Sequence, residues 1–175
     1  MVIDKRRGCG IIFGARQERL QGGRHGGTRQ SFMLEWKSDY ETGVPELDTQ
    51  HRVLFDNINR IGKLLEKPEI DRAEAAYLLN FLEQYAAQHF SGEETCMARF
   101  RCPAHARNKT EHKMFMEILE IARGEFESTD KPRKVLERLH ESMVWWINDH
   151  ILKVDIKLKD FVGTSKLGRA TAAKL

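Results

Sequence analysis

Four stretches of this chain place apolar residues at three- and four-residue steps, and turn or proline residues separate them. The first, Asp48 to Lys67, carries Val53, Leu54, Ile58, Ile61 and Leu65 and stops at Pro68. Such a period predicts an amphipathic helix packed on a core. Asp71 suits the N-cap of a second helix with Ala75, Leu78, Leu79, Leu82 and Tyr85 on one side. Pro103 breaks the chain beside Arg101 and Cys102 and suits the first turn of a third helix. That helix is expected to run to about Ser128, with Phe115, Ile118, Leu119 and Ala122 as its stripe. STDKP is a turn, and Pro132 opens a fourth helix with Val135, Leu136, Leu139, Met143 and Ile147. There is no alternating β-branched run and no internal repeat. Helices of similar length with short links predict an all-α fold, an up-down-up-down four-helix bundle. Residues 34–47, with Trp36 and Tyr40, are expected as an extended N-terminal arm across it.

A chain of 175 residues suits one domain with its own core. No apolar run approaches the roughly 18 residues of a membrane span. Residues 1–32 hold seven Lys/Arg against two Asp/Glu, so of the total of +3 they carry +5 and the rest −2. This Gly- and Arg-rich segment has no periodicity and no interleaved aromatics, which predicts a disordered tail rather than a nucleic-acid interface. Arg6 and Arg7 precede a short apolar patch, but the patch contains glycines and runs into RQERLQGGR, which argues against a signal peptide. Met33 offers an alternative translation start. The expected organisation is a tail over 1–32, the bundle over 33–162 and a flexible tail over 163–175. Three cysteines, Cys9, Cys96 and Cys102, with no clear signal point to a reducing cytoplasm and inert thiols. A redox disulfide between Cys96 and Cys102, which flank the turn between helices two and three, is the alternative. Neither nucleic acid nor membrane is an expected partner, and the expected assembly is a monomer or weak homo-oligomer.

Polar residues interrupt the apolar faces at particular places. His51 lies on the first helix; His89 and Glu93, four apart, share a face of the second. His112 lies on the third, His150 ends the fourth, and Asp155 follows five residues later. A single histidine on an apolar face is usually a satisfied core residue. Four of them with two carboxylates, spread over all four helices, would be costly to bury without a shared charge. A bound cation turns that cost into stabilisation, and imidazole with carboxylate suits first-row transition metals, iron among them.

The same residues carry a resemblance. DTQH at 48–51, HFSGEE at 89–94, CP…NKTEH at 102–112 and WINDHILKVD at 146–155 resemble the hemerythrin family in its single-domain bacterial form. The aromatic arm EWKSDYETGVPELD fits that family's N-terminal segment, and the resemblance covers about residues 34–162. It implies a hemerythrin-like bundle around two iron ions, a non-haem di-iron centre that binds dioxygen reversibly. It further implies that His51 and His89 are ligands of the iron that binds oxygen, and that Glu93 and Asp155 bridge both irons. His112 and His150 resemble ligands of the second iron, which in the usual pattern has three histidines. The usual third-helix motif is His-x-x-x-His, its first histidine five residues after the proline, and here that position is Asn108.

His105 and His112 are about 10.5 Å apart along a regular helix axis, too far to share one iron. Asn108 and His112 are one turn apart, and the Asn carbonyl can act as a weak ligand or hold a water. A helix distorted near Pro103 would instead swing His105 inward. Phe55, Tyr85, Met97, Phe115, Met116 and Trp146 fall near these residues and could exclude water from bound oxygen, or form ordinary core. Trp145 must face elsewhere, and His25 and His140 are assigned no part in the site. The expected use is oxygen storage, delivery or sensing. The alternatives are a di-iron oxidoreductase acting on peroxide or nitric oxide, favoured by the exchange of one histidine for asparagine, and a metal-responsive signalling module.

Overall fold

The computed structural model describes residues 33–162; the segments expected as tails, 1–32 and 163–175, lie outside the described residues, as do Cys9 and His25. Four long helices dominate: α1, Pro45–Glu66; α2, Arg72–Arg99; α3, His105–Ser128; and α4, Pro132–Lys153. A 3-10 turn at Ser38–Tyr40 precedes them. A second 3-10 turn at Asp155–Leu158 and the single-turn α5, Lys159–Val162, follow. Each long helix packs on its neighbours in the chain, and α1 closes the ring against α4. This is the up-down-up-down bundle, and the described residues form no strand.

Local chemistry sets the helix ends. α1 starts at Pro45, three residues before the expected Asp48, because proline's fixed φ suits a first turn. Asp48 instead ties the arm to α1, since its Oδ1 accepts the Thr42 backbone N–H and the Thr42 hydroxyl, both at 2.8 Å. Asp71 caps α2 as expected, accepting the N–H groups of Ala73 at 2.9 Å and Glu74 at 3.0 Å. α2 ends in a paired closure: Cys102 N–H bonds Met97 O at 2.9 Å and Arg101 N–H bonds Ala98 O at 3.1 Å. That closure puts Arg101 in the left-handed region, φ +52°, where a non-glycine residue is strained. α3 then begins at His105, not at Pro103, because Cys102 O and Ala104 O accept its first N–H groups, from His105 at 3.1 Å and Asn108 at 2.8 Å.

The main core runs from Leu54 to Leu64, Ala75 to Ala86, Phe115 to Phe126 and Val135 to Ile147 on the four helices. Ile58, Ile61, Leu78, Leu82 and Leu136 are fully buried. Each such side chain contributes about 1.5–3 kcal/mol of burial. The arm completes this core: Leu34 and Tyr40 are buried in it, and Tyr40 stacks edge-on against Phe55 with centroids 5.2 Å apart. A smaller cluster of Val44, Leu47, Cys96, Met97, Cys102, Val154 and Leu158 closes the other end. Met97, expected at the pocket, belongs to this closing layer. The ends of α1, α2 and α4 contribute to this closing cluster, and most of the buried polar residues sit within the adjoining turns of the four helices.

Candidate metal centre

His51, His89, Glu93, His112, His150 and Asp155 come together from all four helices and the following 3-10 turn, none more than 2% exposed. Asp155 reaches inward because α4 stops at Lys153 and the 3-10 turn re-aims the chain. The side chains form two groups. Ligand atoms of Glu93, His112, His150 and Asp155 all lie within 4.8 Å of one another, and so do those of His51, His89 and Glu93.

Glu93 belongs to both groups, and Asp155, a member of the first, also approaches His51. Glu93 Oε1 and Asp155 Oδ2 face His51 Nε2, at 3.8 and 3.6 Å. Glu93 Oε2 lies 3.3 Å from His112 Nε2 and 3.9 Å from His89 Nε2, and Asp155 Oδ1 lies 3.1 Å from His150 Nε2. Asn108, which is fully buried, donates through Nδ2 to Glu93 Oε2 at 3.2 Å and Asp155 Oδ1 at 3.0 Å. Its Oδ1 has no partner. His105 lies at the first residue of α3, partly exposed and outside both groups. The distorted helix start that would have brought it inward is absent, since α3 winds regularly from His105 through His112.

Burial, the largest influence on three of the rings, keeps them neutral: His51 and His112 fall to about 4 and His89 to about 3. For His150 burial is outweighed by the Asp155 and Glu111 carboxylates, which raise it to about 9. Burial and the neighbouring Asp155 charge push Glu93 up to about 7. Asp155 is held well below the usual carboxylate range, because the pull of His150 exceeds the cost of burial. In the protein without metal, a proton shared around His150 thus offsets part of the buried negative charge.

Three residues not singled out in the sequence orient the rings. His89 Nδ1–H donates to Gln50 Oε1 at 2.8 Å, His112 Nδ1–H to Glu94 Oε1 at 3.2 Å, and His150 Nδ1–H to Glu111 Oε2 at 2.7 Å. Each bond fixes the tautomer that turns Nε2 toward the centre. A signal existed: Gln50, Glu94 and Glu111 are chain neighbours of His51, Glu93 and His112. One residue along a helix turns the side chain by about 100°, toward the adjacent helix. Aromatic rings enclose the site. Phe90 stacks on His112 at 3.8 Å between centroids, Trp146 on His150 at 4.3 Å, and Trp36 on His51 at 6.3 Å. Phe115 and Phe55 stand behind Trp146 and Trp36, whereas Tyr85 and Met116 pack only at the edge of the core.

A family model, the hemerythrin HHE cation binding domain, matches residues 42–162. The chain belongs to the hemerythrin family. It is 30% identical over 125 residues to a bacteriohemerythrin of Clostridium acetobutylicum, covering 70% of this chain and 96% of that one. It is 26% identical to the bacteriohemerythrin of Methylococcus capsulatus, over 70% of this chain and 92% of that one. With the bacteriohemerythrin of Stenotrophomonas maltophilia the identity is 24%, over 68% and 74% of the two chains. The cofactor of the hemerythrin domain is a non-haem di-iron centre, and the buried groups of this chain fit one. Among the described residues, the ion pairs of Glu93 and Asp155 are with histidines alone. Glu93 Oε1, Asp155 Oδ2 and His51 Nδ1 are buried without any hydrogen-bond partner. Nitrogen and carboxylate donors with orphaned oxygens between them are what a divalent first-row metal satisfies.

Proposed function

We propose that this hemerythrin-family protein binds dioxygen reversibly, for storage, delivery or sensing, rather than turning it over. In this reading His51 and His89 hold one iron, His112 and His150 hold the other, and Glu93 and Asp155 are shared between them. The observation that carries it is that each carboxylate approaches histidines of both pairs, Glu93 meeting His51, His89 and His112, and Asp155 meeting His51 and His150. Two like cations repel, and two anionic side chains between them offset that repulsion. When bound, the iron pair supplies the redox-active affinity for oxygen. The chain's own residues hold the pair in place, burial keeps the His51, His89 and His112 rings neutral, and the aromatic layer excludes water. The aromatic layer around the rings supports slow loss of bound oxygen to side reactions, because competing proton donors are kept out.

The compartment that suits this reading is a reducing cytoplasm. Cys96 and Cys102 are both free and buried, and burial raises both thiols. Among the described residues no helix is long and apolar enough to cross a membrane.

Asn108 favours a second reading, an oxidoreductase acting on peroxide or nitric oxide. An amide in place of an imidazole leaves the centre with fewer nitrogen donors and so less suited to holding oxygen unchanged. One experiment separates the two: the iron content and optical spectrum of the reduced protein, recorded before oxygen, after oxygen, and after its removal. Reversible binding returns the starting spectrum over repeated cycles. A spectrum that stays oxidised after one exposure would reject oxygen carriage and leave the oxidoreductase.

A further inference from the structure

Asn108 occupies a position that no generic packing requirement explains. Its two amide hydrogens are directed at Glu93 Oε2 and Asp155 Oδ1. These are the oxygens nearest His112 and His150, although Glu93 Oε2 also lies 3.9 Å from His89 Nε2. The amide therefore stands in the His112/His150 half as a partial positive charge, satisfying oxygens that a cation there would need. Its own Oδ1 is buried without a partner. The His51/His89 half has no comparable donor: Glu93 Oε1 and Asp155 Oδ2 lack any hydrogen bond.

The two halves thus differ in what an entering ion gains. A buried oxygen without a partner bears its full desolvation cost, and one already bonded has recovered part of it. Beside His51 an ion meets the two orphaned oxygens, Glu93 Oε1 and Asp155 Oδ2, and displaces neither Asn108 bond. In the His112/His150 half it displaces the two Asn108 N–H···O bonds and also the 3.1 Å hydrogen bond between His112 Nε2 and His150 Nε2. An amide is planar and nearly the same shape end for end, and its terminal torsion is broad and roughly two-fold. Rotation about that torsion exchanges NH2 for oxygen without disturbing the surrounding packing. We propose that Asn108 is an amide switch that makes the two metal positions unequal. Its NH2 faces Glu93 and Asp155 in the metal-free protein, and its Oδ1 turns toward the His112/His150 position when an ion binds there. The His51/His89 position then fills first, and a one-metal form is a distinct state of the protein. This inference rests on the ligand assignment proposed above.

The test is a zinc titration of the metal-free full chain against a competing chelator, followed in parallel by 15N NMR of side-chain amides. The Asn108 pair is assigned by its absence in Asn108→His. Mutual repulsion weakens the second of any two close cations, so unequal affinities alone decide nothing. The decisive readout is the Asn108 amide pair, which should stay in place through the first equivalent of zinc and shift during the second. His112→Ala should retain the tight ion, whereas His51→Ala should lose it. Asn108→His should tighten the weaker ion and slow its loss to the chelator, because an imidazole replaces the amide one turn from His112. If the amide pair moves with the first equivalent, or never moves while two ions bind, the switch is wrong. Glu93→Ala distinguishes the two levels: zinc binding that survives it intact would sink the ligand assignment itself, and an immobile amide beside a Glu93-dependent pair of ions would sink only the switch.

Discussion

In the proposed assignment the two halves share Glu93 and Asp155, but their surroundings differ. Around His112 and His150 nearly every polar atom is engaged: both outer nitrogens donate to carboxylates, and Asn108 holds the two inner oxygens. Arg107 in turn grips Glu111 at 2.6 Å, so the chain from solvent to His150 is fixed link by link. Around His51 and His89 the furnishing is sparse. Among the described residues only His89 has an outer partner, the neutral Gln50, and His51 Nδ1 has none. One half is therefore prepared by hydrogen bonds, and the other is left to be completed by an ion. A saturated half is stable without metal but must surrender bonds to bind it. An unsaturated half bears the cost of its orphaned atoms, about 1–3 kcal/mol each, until it binds.

Changes to the shared residues should have the largest effect. Glu93→Ala or Asp155→Ala should each remove both ions, measured as iron per chain after desalting. Retention of two irons with an unchanged oxygen complex would erase the idea that the halves are joined through these carboxylates. Next come the outer partners. Glu111→Gln should weaken iron retention in the His112/His150 half by about 10–100-fold, the usual cost of losing such a support. Gln50→Ala should cost less, at the lower end of that range, because a neutral acceptor polarises its ring less. Equal losses in a chelator challenge would show that the furnishing of the halves is not what sets their affinities. His105→Ala should leave iron retention unchanged, since its ring lies outside both groups. Removing residues 1–32 should change iron content and melting temperature least of all, because residues 33–162 close their own core around the centre. A marked fall in either would mean that the segment packs on the bundle.

Much of this was legible before any coordinates. The apolar stripes identified four helices, and Asp71 and Pro132 marked two of their starts. Helical phase puts His89 and Glu93 on one face, and the rise of a regular helix allows Asn108 but not His105 to accompany His112. Those are local consequences: a period of 3.6 residues decides which side chains share a face, whatever surrounds the helix. The start of α3 was less legible, because it depends on how the end of α2 closes through Arg101 and Cys102.

What only the tertiary structure decided are the relations between helices. No sequence spacing links Asn108 to Glu93 and Asp155, 15 and 47 residues away, or Glu111 to His150, 39 away. The sequence alone determined which polar residues would have to be buried and that a cation would relieve them. Which carboxylate oxygen faces which ring, and which end of the Asn108 amide faces inward, depends on the relative rotation and depth of packed helices. Those are settled by the fit of apolar side chains such as Ile58, Leu82, Leu119 and Leu136, interactions between residues far apart in the chain that helical period does not encode.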